Sequence, residues 1–569
     1  MRNKYSLLFC LLFLILGLLL RVYVLGAVPP GLTNDEADIG YDAYSLLLTG
    51  HDQWNKAIPL TSFQGFGDYR LPLYTYLVVP MVMIFDLNAL AVRLPSAIFG
   101  TVSILLVYLV VLRLFSKSNV NAQITALSAM FFMAVSPWAI GLSRIGIESN
   151  VGITFFLAGL LLFLYGLQKK YLFLCSFLLF GFTLYTYTSY TLFTPVALLV
   201  LLVFFKDQLK KQKKQIVLGM VIFLILTIPL FAFRSTAGVR VSQVSFINSQ
   251  DNIGLMAVLN DMRGSCSQNF PDILCKIFLN KQLLFANTFI RNYINHFSFS
   301  FLFLNGSSTQ YSILPPRSLF YIIEGVFLLI GLYACVKKKI KASVLVMVLF
   351  LVSPLPDSIT GEGHYSRAAN MMPFMFIIEG VGASFLWESV GKLNTIFKYT
   401  LRLGFSLIVF GSFALFIISY FSYFPQFYST YSQYGYSQWA NHIQENKNAH
   451  KKIILSKYGN DTKQYIYYLF YTKYDPRAFQ TKKDISYSQG SDGWVSIDKI
   501  NNLYFVEEIP KKDELKKEDN NALIITHPKE LPDTVDLKNA VLDKNGNPVF
   551  VFLTGEQLAN MYEEAKTVE

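Results

Sequence analysis

Two adjacent carboxylates, Asp35 and Glu36, stand in a short polar stretch, Thr33 to Tyr41, that follows the first apolar run of the chain. A chain that crosses a bilayer would leave it at this point. An ionised carboxylate there can act as a general base toward a hydroxyl group within hydrogen-bond distance. The alternative is a purely structural role in which the acidic pair only caps a surface helix, since carboxylates stabilise helix N-termini.

A second charged segment, 142–150, contains Arg144 and Glu148 at the ends of two apolar runs. Their spacing of four residues brings them together on one face of a helix. Because charged side chains are costly in lipid, they must face each other or a polar cavity. The sequence is equally compatible with a structural ion pair and with a binding site.

The segment 357–367 combines Glu362, His364 and Arg367 with two glycines that let a loop bend closely around a ligand. A guanidinium beside an imidazole suits a phosphate group, although His364 could be an ordinary interfacial histidine. Arg70 precedes a short apolar stretch, 71–85. It could bind a lipid phosphate or extend its charge to the interface as other arginines do.

These charged residues belong to a chain with the composition of a polytopic membrane protein. Of its 569 residues, 53% are hydrophobic and 15% are charged, and the formal net charge is +12. Residues 425–569 carry 18 basic and 20 acidic residues, so the basic excess lies upstream. Loop lysines that fix membrane orientation explain that excess better than nucleic-acid binding does.

Eleven apolar runs have the length that a bilayer core demands, and they predict an all-helical membrane part. The run at the N-terminus lacks a small-residue cleavage site, so it is interpreted as an uncleaved first span. The stretch 71–85, with two prolines, is interpreted as an interfacial or re-entrant helix. The predicted spans lie near 6–26, 93–113, 122–141, 151–167, 171–187, 191–205, 216–233, 318–336, 342–356, 368–386 and 401–423.

The distribution of lysine and arginine predicts the orientation of this bundle. With eleven spans, most basic loop clusters fall on the side of the N-terminus, which the positive-inside rule assigns to the cytoplasm. A twelfth span at 71–85 would move most of them outside. Eleven spans predict a multi-pass plasma-membrane protein. Its outer face would carry segments 27–92, 142–150, 234–317 and 357–367 together with the C-terminal tail.

The predicted domains are 1–424, the membrane part, and 425–569, an extracytoplasmic α/β domain. Helical spacing at 436–446 and 462–471 and strand-like runs at 452–456 and 522–526 support the second domain. A hairpin at 541–553 is expected to turn at Asn545 and Gly546. In the outer segment 234–317, Cys266 and Cys275 are nine residues apart and are candidates for a disulfide in an oxidising compartment.

The chain contains no P-loop, zinc-protease, serine-hydrolase or dinucleotide-binding motif, so a nucleotide cofactor is not supported. Its N-terminal motifs resemble type-C glycosyltransferases, above all bacterial relatives of the protein O-mannosyltransferases (glycosyltransferase family 39) and of the lipid A aminoarabinose transferases. The similarity covers the first 150 residues and recurs at His364 to Arg367. The motifs are Asp35-Glu36-Ala37 with Gly40-Tyr41, Gly50-His51-Asp52, Pro59, Arg70-Leu71-Pro72-Leu73-Tyr74 and Ala91 to Ala97.

The resemblance implies a membrane glycosyltransferase that moves a sugar, a mannose-like hexose by analogy, from a polyprenyl-phosphate donor to a protein, glycan or lipid acceptor on the outer face. Asp35 occupies the position of the catalytic carboxylate and would be the general base in one inverting displacement. Glu36 and Glu148 would orient Asp35 or the acceptor. Arg367 and His364, with Arg70 and Arg144 behind them, would stabilise the leaving phosphate.

No cofactor is required by this mechanism. Relatives that hold a divalent metal near this site carry an acidic residue immediately before the basic one, where this chain has Tyr69, with Asp68 one place earlier. That departure argues against a bound metal. The competing hypothesis from another functional class is a flippase or transporter of lipid-linked sugars, whose charges should line a path near the bilayer midplane.

Overall fold

The protein is known from a computed structural model, which describes residues 2–232, 251–307, 318–431, 433–458, 463–490, 494–511, 513–515, 519–531 and 539–568. Predictions for 233–250 and 308–317 of the long outer segment lie outside these residues. The contacts between residues divide the chain into two compact units. Unit 1 comprises Met1–Tyr23 and Ser96–Ser419, and unit 2 comprises Val24–Pro95 and Tyr420–Glu569.

The helices of the two units are numbered in chain order. Unit 1 contains α1 (Arg2–Val22), most of α4 (Ala89–Leu114), α5 (Ala122–Val135), α6 (Pro137–Ser143), α7 (Glu148–Gly166), α8 (Lys170–Thr183), α9 (Tyr190–Phe204), α10 (Lys206–Leu209), α11 (Lys213–Ala232), α12 (Asp251–Ser267), α13 (Asp272–Phe278), α14 (Lys281–Asn295), α15 (Ile322–Lys337), α16 (Lys341–Val352), α17 (Leu355–Ser358), α18 (Met372–Val390) and α19 (Thr395–Ile418). Unit 2 contains α2 (Asn34–Thr49), α3 (Leu73–Phe85), α20 (Phe424–Tyr431), α21 (Tyr436–Asn446), α22 (Tyr465–Tyr471), α23 (Pro476–Gln480) and α24 (Gly555–Val568). Single 3₁₀ or π turns occupy Lys210–Gln212, Ser300–Leu304, Ala368–Met371, Ser419–Tyr423 and Pro528–Glu530.

Eight helical segments among the described residues are long and apolar enough to span a membrane, or nine if the bent pair α5 and α6, with 57° between its members, counts as one span. Seven of the eight match predicted spans. The predicted spans 171–187 and 191–205 are shorter helices, α8 and α9, and 318–336 is the 16-residue α15. The eighth, Asp272–Asn295, is a segment that the sequence analysis placed in an outer loop. The prediction of a polytopic helical membrane protein is confirmed, and the orientation of its termini stays a prediction.

Unit 1 is held together by close helix contacts at small residues. A Cβ added to Gly331 of α15 would lie 2.1 Å from the carbonyl oxygen of Ile378 in α18, and one added to Gly382 would lie 2.1 Å from that of Phe327. Lipid provides no hydrophobic force between helices, so membrane helices associate through such close backbone packing. The absence of side chains at these two positions therefore sets the α15–α18 distance.

The C-terminal part of unit 2 is a seven-stranded mixed sheet with helices, which confirms the α/β class predicted from the sequence. Three parallel strands form its centre in the order β6-β3-β7, and antiparallel strands extend both edges to give β4-β5-β6-β3-β7-β9-β8. Ile454, Ile524 and Val551 contribute to its buried core. The strands are β3 (Ile453–Ser456), β4 (Ile485–Gln489), β5 (Val495–Ile500), β6 (Leu503–Val506), β7 (Leu523–Thr526), β8 (Ala540–Leu542) and β9 (Pro548–Thr554), while β1 (Phe63–Gln64) and β2 (Tyr69–Arg70) pair separately.

Unit 2 also includes segment 24–95, because α2 packs directly on the C-terminal helices. The Tyr41 hydroxyl donates a hydrogen bond to the Tyr474 carbonyl at 3.0 Å, and the Tyr467 hydroxyl lies 2.6 Å from Oδ1 of Asn34. The domain division at 424/425 stays a prediction, and the contacts change from unit 1 to unit 2 between Ser419 and Tyr420. Segment 24–95, however, groups with the C-terminal residues rather than with the membrane bundle.

Candidate active site

The N-terminus of α2 is fixed by a capping box and a buried ion pair. Thr33 Oγ1 accepts a hydrogen bond from the backbone of Glu36, whose carboxylate accepts one from the Thr33 N–H. The same carboxylate pairs with Arg93 at 2.7 Å, and both side chains are 1% exposed. Glu36 is thus held as a structural residue, an environment unlike the acceptor-orienting role predicted for it.

Arg93 ties this helix start to the chain that leads into it. Besides Glu36, its guanidinium donates hydrogen bonds to the carbonyl oxygens of Leu25, Pro29 and Gly31. A buried guanidinium is stable only when its donors and its charge are matched, and here carbonyls and a carboxylate supply both. The entry into α2 is therefore rigid.

Asp35 differs from the other three carboxylates of α2, because its side chain is exposed and has no hydrogen bond or ion pair with any described residue. It is the second residue of the helix, where the helix dipole favours a negative charge. A carboxylate that is ionised, accessible and mounted on a fixed helix end can accept a proton from a bound hydroxyl group.

Asp38 and Asp42, one turn apart on the buried face of α2, share a single cation. Nη2 of Arg70 lies 2.6 Å from Oδ2 of each aspartate, and the Arg70 side chain is 2% exposed. Gln53 adds hydrogen bonds from its amide to Asp38 Oδ1 and from its backbone N–H to Asp42 Oδ1. The sequence analysis proposed Arg70 as a phosphate ligand or an interfacial charge, whereas here its Nη2 is engaged by two buried carboxylates.

This cluster carries more acid than base, and its pKa values reflect that. Burial raises the pKa of Asp38 to about 6, with Asp68 and Asp35 adding to the shift and Arg70 opposing it. Burial also raises the pKa of Asp42 well above its ordinary value, and the nearby Asp38 raises it further. Near neutral pH the cluster therefore holds a carboxyl group close to its titration point.

In unit 1, the segment 357–367 forms a second polar cluster around Asp357. The buried His296 places Nε2 2.9 Å from Asp357 Oδ2, and its Nδ1 lies 2.7 Å from the Asn292 carbonyl. The backbone N–H of His364 donates to the same Oδ2 at 2.6 Å. His296 and Asp357 therefore form a buried hydrogen-bonded pair that fixes the loop carrying His364.

The hydrogen bonds of His364 define its tautomer. Nδ1 accepts the backbone N–H of Ser366 at 3.3 Å and lies 2.8 Å from Ser366 Oγ. Burial lowers the pKa of His364 to about 4, and the neighbouring Arg367 lowers it further. The neutral ring therefore carries its proton on Nε2. The sequence analysis treated His364 as a cation, but at neutral pH it offers a hydrogen-bond donor instead.

The other predicted site residues of unit 1 have different environments. Arg367, partly exposed, has no side-chain hydrogen bond or ion pair with a described residue, whereas the exposed Glu362 pairs with Arg291 at 2.9 Å. Arg144 is fully buried and donates to the carbonyls of Leu20 and Tyr23 at 2.8 Å, at the end of α1. Glu148, 8% exposed, stands in the first turn of α7.

Sequence reasoning did not single out Asp38, Asp42, Arg93 or Asp357. Asp38 and Asp42 lie one turn apart on α2, and this spacing is the one feature of the sequence that could have indicated a shared cation. Arg70 is 28 residues from Asp42, and Arg93 is 57 residues from Glu36, so no local pattern joins these ion pairs. In the segment 234–317, Cys266 and Cys275 are joined by a disulfide, with their Cα atoms 5.9 Å apart.

No group of three or more histidine, cysteine, aspartate or glutamate side chains with the geometry of a metal site occurs among the described residues. Around Asp38, the Arg70 guanidinium already supplies a positive charge. A divalent ion at Asp38 would have to compete with that guanidinium, and the expectation that the chain holds no metal stays a prediction.

Comparisons with solved structures show which fold this chain has. The chain superimposes on ArnT from Cupriavidus metallidurans bound to undecaprenyl phosphate with a TM-score of 0.52 and 13% identity, over 97% of this chain and 98% of that one. The apo state of the same protein gives a TM-score of 0.50 and 12% identity, over 98% and 99%. The chain has the type-C glycosyltransferase fold. The resemblance predicted from the sequence motifs is thereby confirmed.

Two further comparisons cover only part of the chain or align less well. Residues 70–233 match the family model described as dolichyl-phosphate-mannose-protein mannosyltransferase. The oligosaccharyltransferase AglB from Archaeoglobus fulgidus, in complex with an inhibitory peptide and a dolichol-phosphate, aligns at 12% identity and a TM-score of 0.48, over 82% of this chain and 60% of that one. No curated protein sequence matches the chain significantly. The family match begins after Asp35, so the role of that residue rests on its geometry and on the sequence motif.

Proposed function

We propose that this chain is an integral-membrane, inverting glycosyltransferase that moves a sugar from a polyprenyl-phosphate donor to an acceptor hydroxyl on the outer face of the membrane. The observation that carries the proposal is the state of Asp35. It is the exposed carboxylate of α2, while Glu36, Asp38 and Asp42 are held by buried arginines. A fixed helix with one accessible carboxylate is suited to general-base catalysis.

In the proposed reaction, Asp35 removes the proton of the acceptor hydroxyl as its oxygen attacks the anomeric carbon. A bond forms between that oxygen and the sugar, and the bond between the anomeric carbon and the phosphate oxygen breaks. The polyprenyl phosphate leaves with the electron pair of the broken bond. One displacement inverts the configuration at the anomeric carbon, and it needs no redox step or activating cofactor.

Charge develops on the leaving phosphate, and the chemistry of two further side chains suits a phosphate. Arg367 supplies a guanidinium without a partner among the described residues, and His364 supplies an Nε2–H from a neutral ring. A guanidinium forms strong charge-assisted hydrogen bonds to phosphate. These assignments rest on the chemistry and local contacts of the two side chains.

The similar proteins support a lipid-linked donor. The family model names a dolichyl-phosphate-mannose enzyme, and the superimposed ArnT structure contains undecaprenyl phosphate. A mannose-like hexose is therefore the first donor to test. The acceptor is proposed as a hydroxyl of a protein, glycan or lipid.

The test compares wild-type protein, Asp35→Asn and Glu556→Gln in lipid-detergent micelles with labelled polyprenyl-phosphate mannose and a panel of acceptors. Glu556 is a matched control, because it is an exposed carboxylate in the first turn of another helix of unit 2. We expect Asp35→Asn to retain donor binding and to lose at least about 100-fold in turnover, the effect of removing a general base, while Glu556→Gln retains activity. Unchanged turnover in Asp35→Asn would refute the catalytic assignment. Binding without turnover by wild type, across several sugars and acceptors, would favour a flippase.

A further inference from the structure

A large apolar groove opens along the helices of unit 1, away from the polar clusters. Its volume is about 500 Å³. It is lined by α1, α5, α15, α18 and α19, through apolar side chains such as Phe132, Phe327, Phe405 and Val409. Because these helices have the length and composition of membrane spans, the groove faces the region of lipid chains.

One end of the groove is charged. Arg402 of α19 lies against the Trp387 ring, with its guanidinium carbon 3.7 Å from the ring centroid, and its Nη2 donates to the Trp387 carbonyl at 3.3 Å. Its buried Nε has no hydrogen-bond partner. The described residues thus provide one acceptor for the five N–H bonds of this guanidinium and provide no carboxylate. A cation held against an aromatic ring with unused donors is suited to a phosphate.

The surroundings of Arg402 extend this positive charge. Lys392, which follows α18, is exposed, and Lys398 in the first turn of α19 is partly exposed. Lys338 is paired with Glu388 at 2.7 Å, so it contributes little net charge. This end of the bundle therefore offers cationic groups beside an apolar channel.

The charged end of the groove is remote from the segment that carries Arg367. Arg367 precedes the start of α18, whereas Trp387 lies in its last turn. At 1.5 Å per residue, the helix between them is roughly 28 Å long, about the thickness of a bilayer core. A phosphate bound at Arg402 would belong to the opposite leaflet from one bound at Arg367.

We propose that this groove is a binding site for an anionic phospholipid, with the phosphate on Arg402 and an acyl chain along the apolar lining. On the predicted orientation, the lipid belongs to the cytoplasmic leaflet. The apolar channel can accept a hydrocarbon chain, and its cationic end can accept a phosphate. An anionic lipid carries both groups. The site does not depend on the proposed glycosyl transfer.

Trp387 provides a probe, because it lines the groove and half of its surface is exposed. The full-length protein is reconstituted in vesicles of phosphatidylcholine with increasing fractions of brominated phosphatidylglycerol or brominated phosphatidylcholine, since bromine quenches nearby tryptophan fluorescence. Subtracting the signal of Trp387→Phe isolates this residue. We expect Trp387 to be quenched at about fivefold lower mole fraction of the anionic lipid, the preference that one arginine confers.

Two variants separate a defined site from a diffuse charge effect. Arg402→Gln should abolish the preference for the anionic lipid while leaving quenching by brominated phosphatidylcholine unchanged, which also reports that the groove is intact. Lys398→Gln removes a partly exposed charge in the same helix and should retain the preference. Equal quenching of wild type by both lipids, a preference that survives Arg402→Gln, or equal losses in both variants would each overturn the proposal.

Discussion

Neutralising Glu36 should destabilise unit 2 strongly. Glu36→Gln keeps the size of the side chain, and glutamine can still complete the capping box with Thr33. What the change removes is the negative charge 2.7 Å from Arg93, where both side chains are 1% exposed. Removing one partner of a buried ion pair leaves the other charge uncompensated, at a cost of about 3–5 kcal/mol. Arg93 keeps its three backbone acceptors, so the lower end of this range is expected.

This free energy is large enough to measure by thermal unfolding of purified protein in detergent. For a unit of this size class, each kcal/mol shifts the midpoint by about 2–4 °C, so roughly 6–12 °C is expected for the lower end of the range. Arg93→Met should lower the midpoint at least as much, because Glu36 is then buried without its cation. In the double variant, neither charge remains and the loss should be clearly smaller than the sum of the two single losses.

The same variants distinguish a structural Glu36 from a catalytic one. Below its unfolding midpoint, Glu36→Gln should retain most of the turnover of the folded protein, whereas Asp35→Asn should lose turnover without a large change in midpoint. A Glu36→Gln protein with a normal midpoint and no turnover would contradict this reasoning. So would fully additive effects of the two changes in the double variant.

Two further predictions concern the buried carboxylates of α2 and the contact between α15 and α18. Because the folded pKa of Asp38 is about 6 and its ordinary value is 3.8, the folded state binds more protons between these values and this group lowers stability as pH rises through that window. The unfolding midpoint of Asp38→Asn relative to wild type should therefore increase from pH 5 to pH 8, and a constant difference would contradict the assignment. Gly382→Ala should lower the stability of unit 1 by about 1–3 kcal/mol, because the added Cβ would lie 2.1 Å from a backbone oxygen. Gly411→Ala, where the added Cβ meets nothing within 4 Å, should leave the yield of monodisperse protein unchanged, and equal losses of yield in both variants would refute the packing argument.

The elements with strong local signals were predicted well. The helix at 436–446 has the expected bounds, and the hairpin turns at Gly546, which has a φ of 85° that favours glycine. Strands β4, β5 and β6 were not predicted. Strand β4 has no buried face, and β5 breaks its alternation of buried and partly exposed residues. Strand β6 alternates over only four residues, whereas the equally short β3 and β7 are continuous buried apolar runs, which are easier to recognise.

The site was harder to predict than the fold, because its ion pairs join distant parts of the chain. The sequence suggests that Glu36 orients the adjacent Asp35. In the structure, Glu36 instead pairs with Arg93, which is 57 residues away along the chain. Arg70 looked exposed at an interface, but Asp38 and Asp42 surround its Nη2. A charged residue in a sequence shows what it could bind, whereas its partner depends on which helices pack together. That information lies in the tertiary contacts and not in local spacing.

The packing of α2 on the C-terminal helices also sets an order of events during biosynthesis. Tyr41 and Tyr474, which are hydrogen bonded, are 433 residues apart. At about 5–20 residues per second, roughly 20–90 s pass between the synthesis of the two tyrosines. Until the residues around Tyr474 are synthesised, the helix that carries Asp35 lacks the C-terminal partner of Tyr41. A chain that is interrupted before Tyr474 therefore lacks the C-terminal contact of the Asp35 helix, even though residues 24–95 are already synthesised.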